Sequence, residues 1–331
     1  METARQLAEE IKGKVKGYLP QIYQETECEV VERAINNGIY MTGIQFHEPG
    51  NRVNPVIYME PYFEKYGQGI SLDEIAEAIA GQVQDAYVIG ERLPATGLKN
   101  LEYAKDYLKP VLLNEMANWQ TLPKIPHIKV EDLAVVCRIM FPLKEDLGSG
   151  CVTEEYLKQW GIGREELFQM VLERASESGN YILYDMEEWL KVDAGDKEGF
   201  QNLLWMPEEE IREKFGKEPD ILQKTKMYVL ANRRGKYGAA AIACRGIMEK
   251  VDRIFPEGFY ILPSSIHECI IVRKGGGLEV KELEKMVRNI NMTPVVKTEE
   301  ILSDHVYEYD RERGSIRLAA KERDKERGME R

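Results

Sequence analysis

Apolar residues recur at helical spacing over the first stretch of the chain, with Ala4, Leu7, Ala8, Ile11, Val15 and Tyr18 on one side. The period then changes. Cys28 to Ile35 and Ile39 to Phe46 read as two β-strands joined at Asn36-Asn37-Gly38. Asn-Gly is the strongest short hairpin signal, because both central turn positions need positive φ. A third β-type run, Val53 to Glu60, follows the polar loop His47 to Arg52. Ser71-Leu72-Asp73-Glu74 has the form of a capping box, and Leu72, Ile75, Ile79 and Val83 make the buried stripe of the helix it opens. The first 90 residues therefore read α-β-β-β-α. A further helix is expected over Asn100 to Asn118, before Thr121-Leu122-Pro123-Lys124-Ile125-Pro126. Two prolines three apart bar regular pairing and make that segment the best linker candidate.

Leu133 to Phe141 is almost wholly apolar, as a strand buried on both faces would be. Thr153 is placed to cap a short helix ending before Gly161, and Arg164 to Ser176 reads as a helix with Leu167, Phe168, Val171, Leu172 and Ala175 inward. Tyr181 to Tyr184 is strand-like. Residues 187–221 form a polar insertion carrying Trp189 and Trp205. A strand from Met227 to Leu230, a basic turn, an Ala-rich helix and two apolar strands follow. Leu278 to Ile290 reads as a helix, and Val306 to Tyr309 with Ser315 to Leu318 as a closing hairpin. From Lys321 the chain is densely charged with mixed sign, the pattern of a frayed tail. Strands come in groups without regular βαβ alternation, which predicts an α+β fold with antiparallel or mixed sheets. The expected division is an N-terminal domain at 1–122, a C-terminal α+β domain at 127–318 with its insertion, and a charged tail at 319–331.

Composition narrows the class. The chain has 331 residues and a formal net charge of −12, enough length for one large or two ordinary domains. An acidic surface repels phosphate backbones and argues against a nucleic-acid partner. No apolar run approaches the roughly 20 residues that span a bilayer, and the amphipathic N-terminus lacks the apolar core of a signal peptide. Five widely spaced cysteines, odd in number and without a CxxC pair, predict reduced thiols and a cytoplasmic protein. Neither GxGxxG nor GxxxxGK[ST] occurs, so no cofactor is expected.

Reactive side chains crowd at Pro263-Ser264-Ser265-Ile266-His267-Glu268, between two apolar strands. Ser264 or Ser265 as nucleophile, His267 as base and Glu268 as orienting carboxylate make the candidate catalytic set. Residues two apart on a strand share a face, so Ser265 and His267 can meet while Glu268 points away. The GxSxG elbow is missing. The competing structural reading has the serines satisfying turn amides and His267 with Glu268 closing a polar network at a strand edge. Arg233, Arg234 and Lys236, in a basic turn of an acidic chain, are candidate ligand-binding residues for a phosphate or carboxylate. No metal site is expected: His267-Glu268 and Asp304-His305 are adjacent pairs, each of which splits across the two faces of a strand. Tyr58, Tyr62, Phe63 and Tyr66 around Glu60 read as core-rim packing before they read as a groove.

Several segments together carry a resemblance. NNG within the first hairpin, NPVIYMEPYFEKYGQGISLDEI, MYVLANRRGKYGAAAI, GFYILPSSIHECIIV and ILSDHVYEYDRERGSI occur in order over about residues 28–316. With them the chain resembles a family of uncharacterised cytoplasmic bacterial proteins, a domain of unknown function from gut-type anaerobes. The segment DLAVVCRIMF followed by VTEEYLKQWGIGREELFQMVLERA is similar to part of a second uncharacterised bacterial family. The resemblance implies one integrated fold and a bacterial cytoplasmic setting, and it implies no activity. The leading functional expectation is a non-catalytic protein that binds a protein partner or a small ligand. The alternative is a hydrolase or transferase acting on a small phosphorylated or acyl substrate at the Ser-Ser-Ile-His-Glu turn.

Overall fold

The computed structural model describes residues 3–94, 96–143, 147–190, 201–216 and 226–319. It is an α+β fold in which the strands pair antiparallel. Contacts divide the chain into two compact units. One comprises residues 1–108, 138–151 and 158–161; the other comprises 109–137, 152–157 and 162–331. Among the described residues no helix is long and apolar enough to cross a membrane. The charged segment from Lys321 lies outside the described residues.

In the first unit, α1 (Ala4–Tyr18) and the sheet β1 (Glu27–Ala34), β2 (Tyr40–His47) and β3 (Val56–Tyr58) share a core with α2 (Glu60–Gly67) and α3 (Leu72–Arg92). The hairpin signal is realised. Asn37 and Gly38 both take positive φ, 56° and 71°, and Ala34 sits opposite Tyr40. The capping box forms as well: the Glu74 amide donates to Ser71 Oγ at 3.3 Å, and the Ser71 amide donates to Glu74 Oε2 at 3.0 Å. The third strand is shorter than expected, because Asn54-Pro55 precedes it and the helix α2, with Pro61 in its first turn, begins at Glu60. Tyr62 is buried in the common core, and Phe63 and Tyr66 pack against it.

The helix expected over Asn100 to Asn118 is not there. Its first residues form a single turn, α4 (Leu101–Ala104), and the chain then enters β4 (Leu108–Asn114). Pro110 explains the change, since a proline inside a helix removes a hydrogen bond and clashes with the preceding turn. β4 lies in a sheet of order β4-β6-β5, with β7 also paired to β6; the strands are β5 (His127–Val130), β6 (Leu133–Pro142) and β7 (Leu147–Cys151). β6 is buried along most of its length, as its apolar run foretold. Next come α5 (Glu154–Trp160), α6 (Arg164–Glu177), β8 (Tyr181–Asp185), α7 (Met186–Leu190) and α8 (Glu208–Phe215).

The second unit is organised by a six-stranded antiparallel sheet of order β13-β12-β10-β11-β9-β8. It joins β8 to β9 (Met227–Asn232), β10 (Phe259–Pro263), β11 (Glu268–Arg273), β12 (Tyr307–Asp310) and β13 (Ser315–Leu318). One face carries Tyr184, Val229, Ala231, Leu262, Ile270 and Val272, packed with Val280, Leu283 and Val287 of a helix from Val280 to Asn291. The other face carries Leu183, Tyr228, Leu230, Ile261, Cys269 and Ile271, all buried. That second face is covered where the Ala-rich segment runs. The segment is a 3-10 helix from Gly238 to Ala243, followed at Arg245–Ile254 by α9, with the Val280–Asn291 helix as α10. β8 is the edge of the sheet, and a side chain of the insertion meets it: the Leu183 amide donates to Asn202 Oδ1 at 3.0 Å, and Asn202 Nδ2 donates to the Tyr181 carbonyl at 2.8 Å.

Ile79 is fully buried in the first unit's core. Replacing it with alanine should cost about 2–5 kcal/mol of stability. Denaturant titration checks this: the midpoint should fall with the slope unchanged, and an unshifted midpoint would mean that this core is not what holds the unit together.

Candidate functional site

The turn between β10 and β11 engages the side chains of Ser265 and His267 and several of its backbone groups in hydrogen bonds. The buried Ser265 accepts the amide of His267 on its Oγ at 3.0 Å, a short local turn of the kind serine favours. The Ser265 amide donates to the Glu268 carbonyl at 3.2 Å, and the Ile266 amide to the Glu300 carbonyl at 2.8 Å. His267 Nδ1 accepts the backbone amide of Tyr237 at 3.1 Å. That bond assigns the ring proton to Nε2, which faces Glu300 Oε1 at 3.5 Å. Glu268 pairs with Ala231 across the sheet and so lies on the face covered by α10, where burial pushes its carboxyl above the usual range. Ser264 is half-buried. The hydroxyl, imidazole and carboxylate are adjacent in sequence, but none of the hydrogen bonds of a triad links them.

The segment facing His267 is shaped by backbone crowding. Tyr237 holds a left-handed conformation, φ 59°, and Gly238 lies directly against β9 and the His267 carbonyl. A methyl group at Gly238 would stand 2.4 Å from the Asn232 nitrogen, 2.5 Å from the His267 oxygen and 2.8 Å from the Ala231 carbonyl carbon. All three are backbone atoms of packed elements, so neither side can yield easily. This contact fits the irregular start of the expected Ala-rich helix, which becomes a 3-10 turn before α9 begins.

The basic turn is organised by Asn232. Its Oδ1 accepts the amides of Arg234 at 2.9 Å and Lys236 at 3.3 Å, and its carbonyl accepts Gly235 at 3.0 Å. The three cationic side chains part company there. Arg233 and Arg234 are both exposed, but Arg233 donates through Nε to the Gly179 carbonyl at 3.3 Å and forms part of a cavity wall. Lys236 contributes its own carbonyl to Asn232.

That cavity, about 470 Å³, is bounded by Glu177 and Arg233 together with Trp205, Met206 and Pro207 of the insertion. A second cavity of about 760 Å³ shares Trp205 and Glu177 with the first and continues between α6 and α9. The two make one trough with Trp205 standing in it. The indole is 45% exposed, and Lys250 Nζ sits over its ring, 3.2 Å from the centroid. Burial, then the neighbouring Arg253, lowers the pKa of Lys250 below its ordinary value. Trp189 belongs to the short helix α7, but its side chain lies outside the described residues, as do 191–200 of the insertion. Ser264, Ser265, His267 and Glu268 line neither cavity.

A second polar cluster was not foreseen from the sequence beyond its histidine. Asp132, in the turn between β5 and β6, accepts Ser303 Oγ at 2.9 Å and His305 Nδ1 at 2.9 Å on one oxygen, and Tyr307 OH at 2.6 Å on the other. Burial opposes its ionisation, but the hydrogen bonds from Tyr307, His305 and Ser303 outweigh that and hold its carboxyl below the usual range. Burial and the Asp132 charge push the Tyr307 phenol far upward. His305 is half-exposed. Its neighbour Asp304 binds Asn291 instead, accepting Nδ2 at 2.8 Å, so the adjacent pair does divide. Among the described residues no group of three or more His, Cys, Asp or Glu side chains is placed to hold a metal ion.

Two predictions follow from this geometry. Because the folded-state pKa of Asp132 is depressed, its contribution to stability is complete above its ordinary value of 3.8 and disappears as pH falls below that. The stability gap between wild type and Asp132→Asn, read by urea titration, should therefore shrink on acidification through that range; a gap independent of pH would mean that the ionised carboxylate is not the stabilising species. Gly238→Ala should destabilise by about 1–3 kcal/mol through overpacking. Thermal unfolding checks it, and a variant as stable as wild type would show that the 238–243 segment can move off the sheet at no cost.

No curated protein and no solved structure matches the chain significantly. One family model does, over residues 4–311, which takes in both compact units. By that match the chain belongs to DUF5688, a family of unknown function.

Proposed function

We propose that this is a binding protein of the bacterial cytoplasm, and that it receives its ligand or partner in the trough around Trp205. The observation that carries the reading is the position of that indole: a large amphipathic side chain, partly exposed, at the junction of two cavities whose walls carry both charge and apolar surface. Tryptophan and arginine are the residues that most often dominate binding energy, and here Arg233 and Trp205 face one cavity. The five free cysteines and the lack, among the described residues, of a helix fit to cross a membrane support the setting.

The catalytic alternative is less well supported. Ser265 and His267 would both have to exchange their present hydrogen bonds for new ones before either met a substrate.

A thermal-shift and fluorescence screen against synthetic peptides, carboxylic acids, amines and sugar phosphates tests the proposal in the full chain. A ligand at 100 times its dissociation constant stabilises by about 2.7 kcal/mol, which moves the midpoint by several degrees. The shift should vanish in Trp205→Ala and weaken in Arg233→Ala. Hits that keep their full shift in both variants would place binding elsewhere and sink the proposal.

A further inference from the structure

The second lobe of the trough has two unlike banks. α6 supplies Glu173 and Glu177; α9 supplies Lys250 and Arg253, with Arg245 and Glu249 beside them. Arg245 is already answered by Glu249, its Nε 2.8 Å from the carboxylate, one turn along the same helix. Burial first, and then the charge of Arg253, depress the pKa of Lys250, against the opposite influence of Glu177 on α6. Between the banks the floor is made of Leu172, Ser176, Ala243 and Gly246, small or apolar throughout. α6 and α9 pack side by side, so the trough is the groove between two neighbouring helices.

We propose that this groove receives an amphipathic helix of a partner protein, with a narrow apolar stripe flanked by carboxylates on the edge facing α9 and by cationic side chains on the edge facing α6. The inference rests on the reading of the trough as the binding site and adds what it recognises. Helix-in-groove docking needs an apolar floor with polar rims, which is the arrangement here. The rims decide the class. A helix acidic on both edges would set carboxylates against Glu173 and Glu177, and one basic on both edges would set cations against Lys250 and Arg253. Like-charge contacts of that kind are how interfaces reject wrong partners. The chain's net charge of −12 repels acidic partners at long range, so recognition of the carboxylate edge has to come from the local α9 cations. Trp205, with Lys250 laid across its ring, closes one end of the groove and supplies a large surface for the apolar stripe.

The test uses three synthetic helical peptides of about 18 residues, roughly five turns, sharing one Leu/Ala stripe. One carries glutamates along one flank and lysines along the other, one glutamates on both, and one lysines on both. Calorimetric titration into the full chain should find the mixed peptide bound roughly tenfold more tightly than either of the others, with the margin narrowing as salt rises. The charge reversal Glu173→Lys/Glu177→Lys should transfer the preference to the all-glutamate peptide, and Arg253→Glu should shift it toward the all-lysine one. Circular dichroism establishes that each variant is folded, and having two reversals of opposite sign keeps the test decisive if one fails to fold. Equal affinity for all three peptides, or a preference unmoved by the reversals, overturns the mixed-charge partner, while binding lost in Trp205→Ala would still uphold the trough as the site. If no peptide binds in a manner that Trp205→Ala abolishes, the helical partner is overturned, and the separate ligand screen decides the site.

Discussion

The second unit depends on one requirement: its six-stranded sheet is buried on both faces at β9 and β11, so each face needs its own cover. An antiparallel sheet with one solvated face would alternate polar and apolar residues, and VLA and CIIV do not. α10 covers one face with Val280, Leu283 and Val287. The other is covered at close range by the segment from Gly238 to Ala243, whose small side chains let backbone approach backbone, and Phe255 at the end of α9 packs on Tyr228 with ring centroids 4.8 Å apart. α9 in turn packs on α6. The trough is the outward side of this cover, so its walls are fixed by elements whose inward sides cannot move without exposing the sheet.

Two of the reactive-looking residues tie distant segments together. His267 and Asp132 each gather hydrogen bonds from segments far away in sequence: His267 from Tyr237, thirty residues off, and Asp132 from Tyr307, which is 175 residues away. Both stand where a turn at a strand end meets another loop. A buried amide or hydroxyl without a partner would be costly there, and a histidine or a carboxylate can serve several at once. In this structure their hydrogen bonds join loops.

Local signals made much of the fold legible. Asn-Gly between two β-type runs, the Ser71–Glu74 box and the apolar run of β6 are each fixed by neighbours within a few residues, and each appears in the structure. Pro110 was in plain view and should have ended the helix expected around it. What periodicity does not contain is which outward faces come to oppose one another. Trp205 and Arg233 line one cavity because Asn202 ties the insertion to β8, while the register of β8 on β9 sets Tyr181 against Asn232 and carries Gly179 to the guanidinium. The acidic bank on α6 and the basic bank on α9 each look like an ordinary solvated helix surface until the two helices are laid side by side. Asp132 gave no local sign at all, since the side chains it binds lie in the last thirty residues of the described chain.

Asn202 gives the insertion one more role. An outermost strand offers a row of unpaired amides and carbonyls on which another chain can template itself, and β8 ends this sheet on one side. The Asn202 carboxamide presents an acceptor to Leu183 and a donor to Tyr181, as the backbone of a seventh strand would. A single side chain thus closes the sheet to strand addition at the margin where its apolar register would otherwise invite self-association. At that one residue the polar insertion occupies edge groups that an added strand would otherwise pair with.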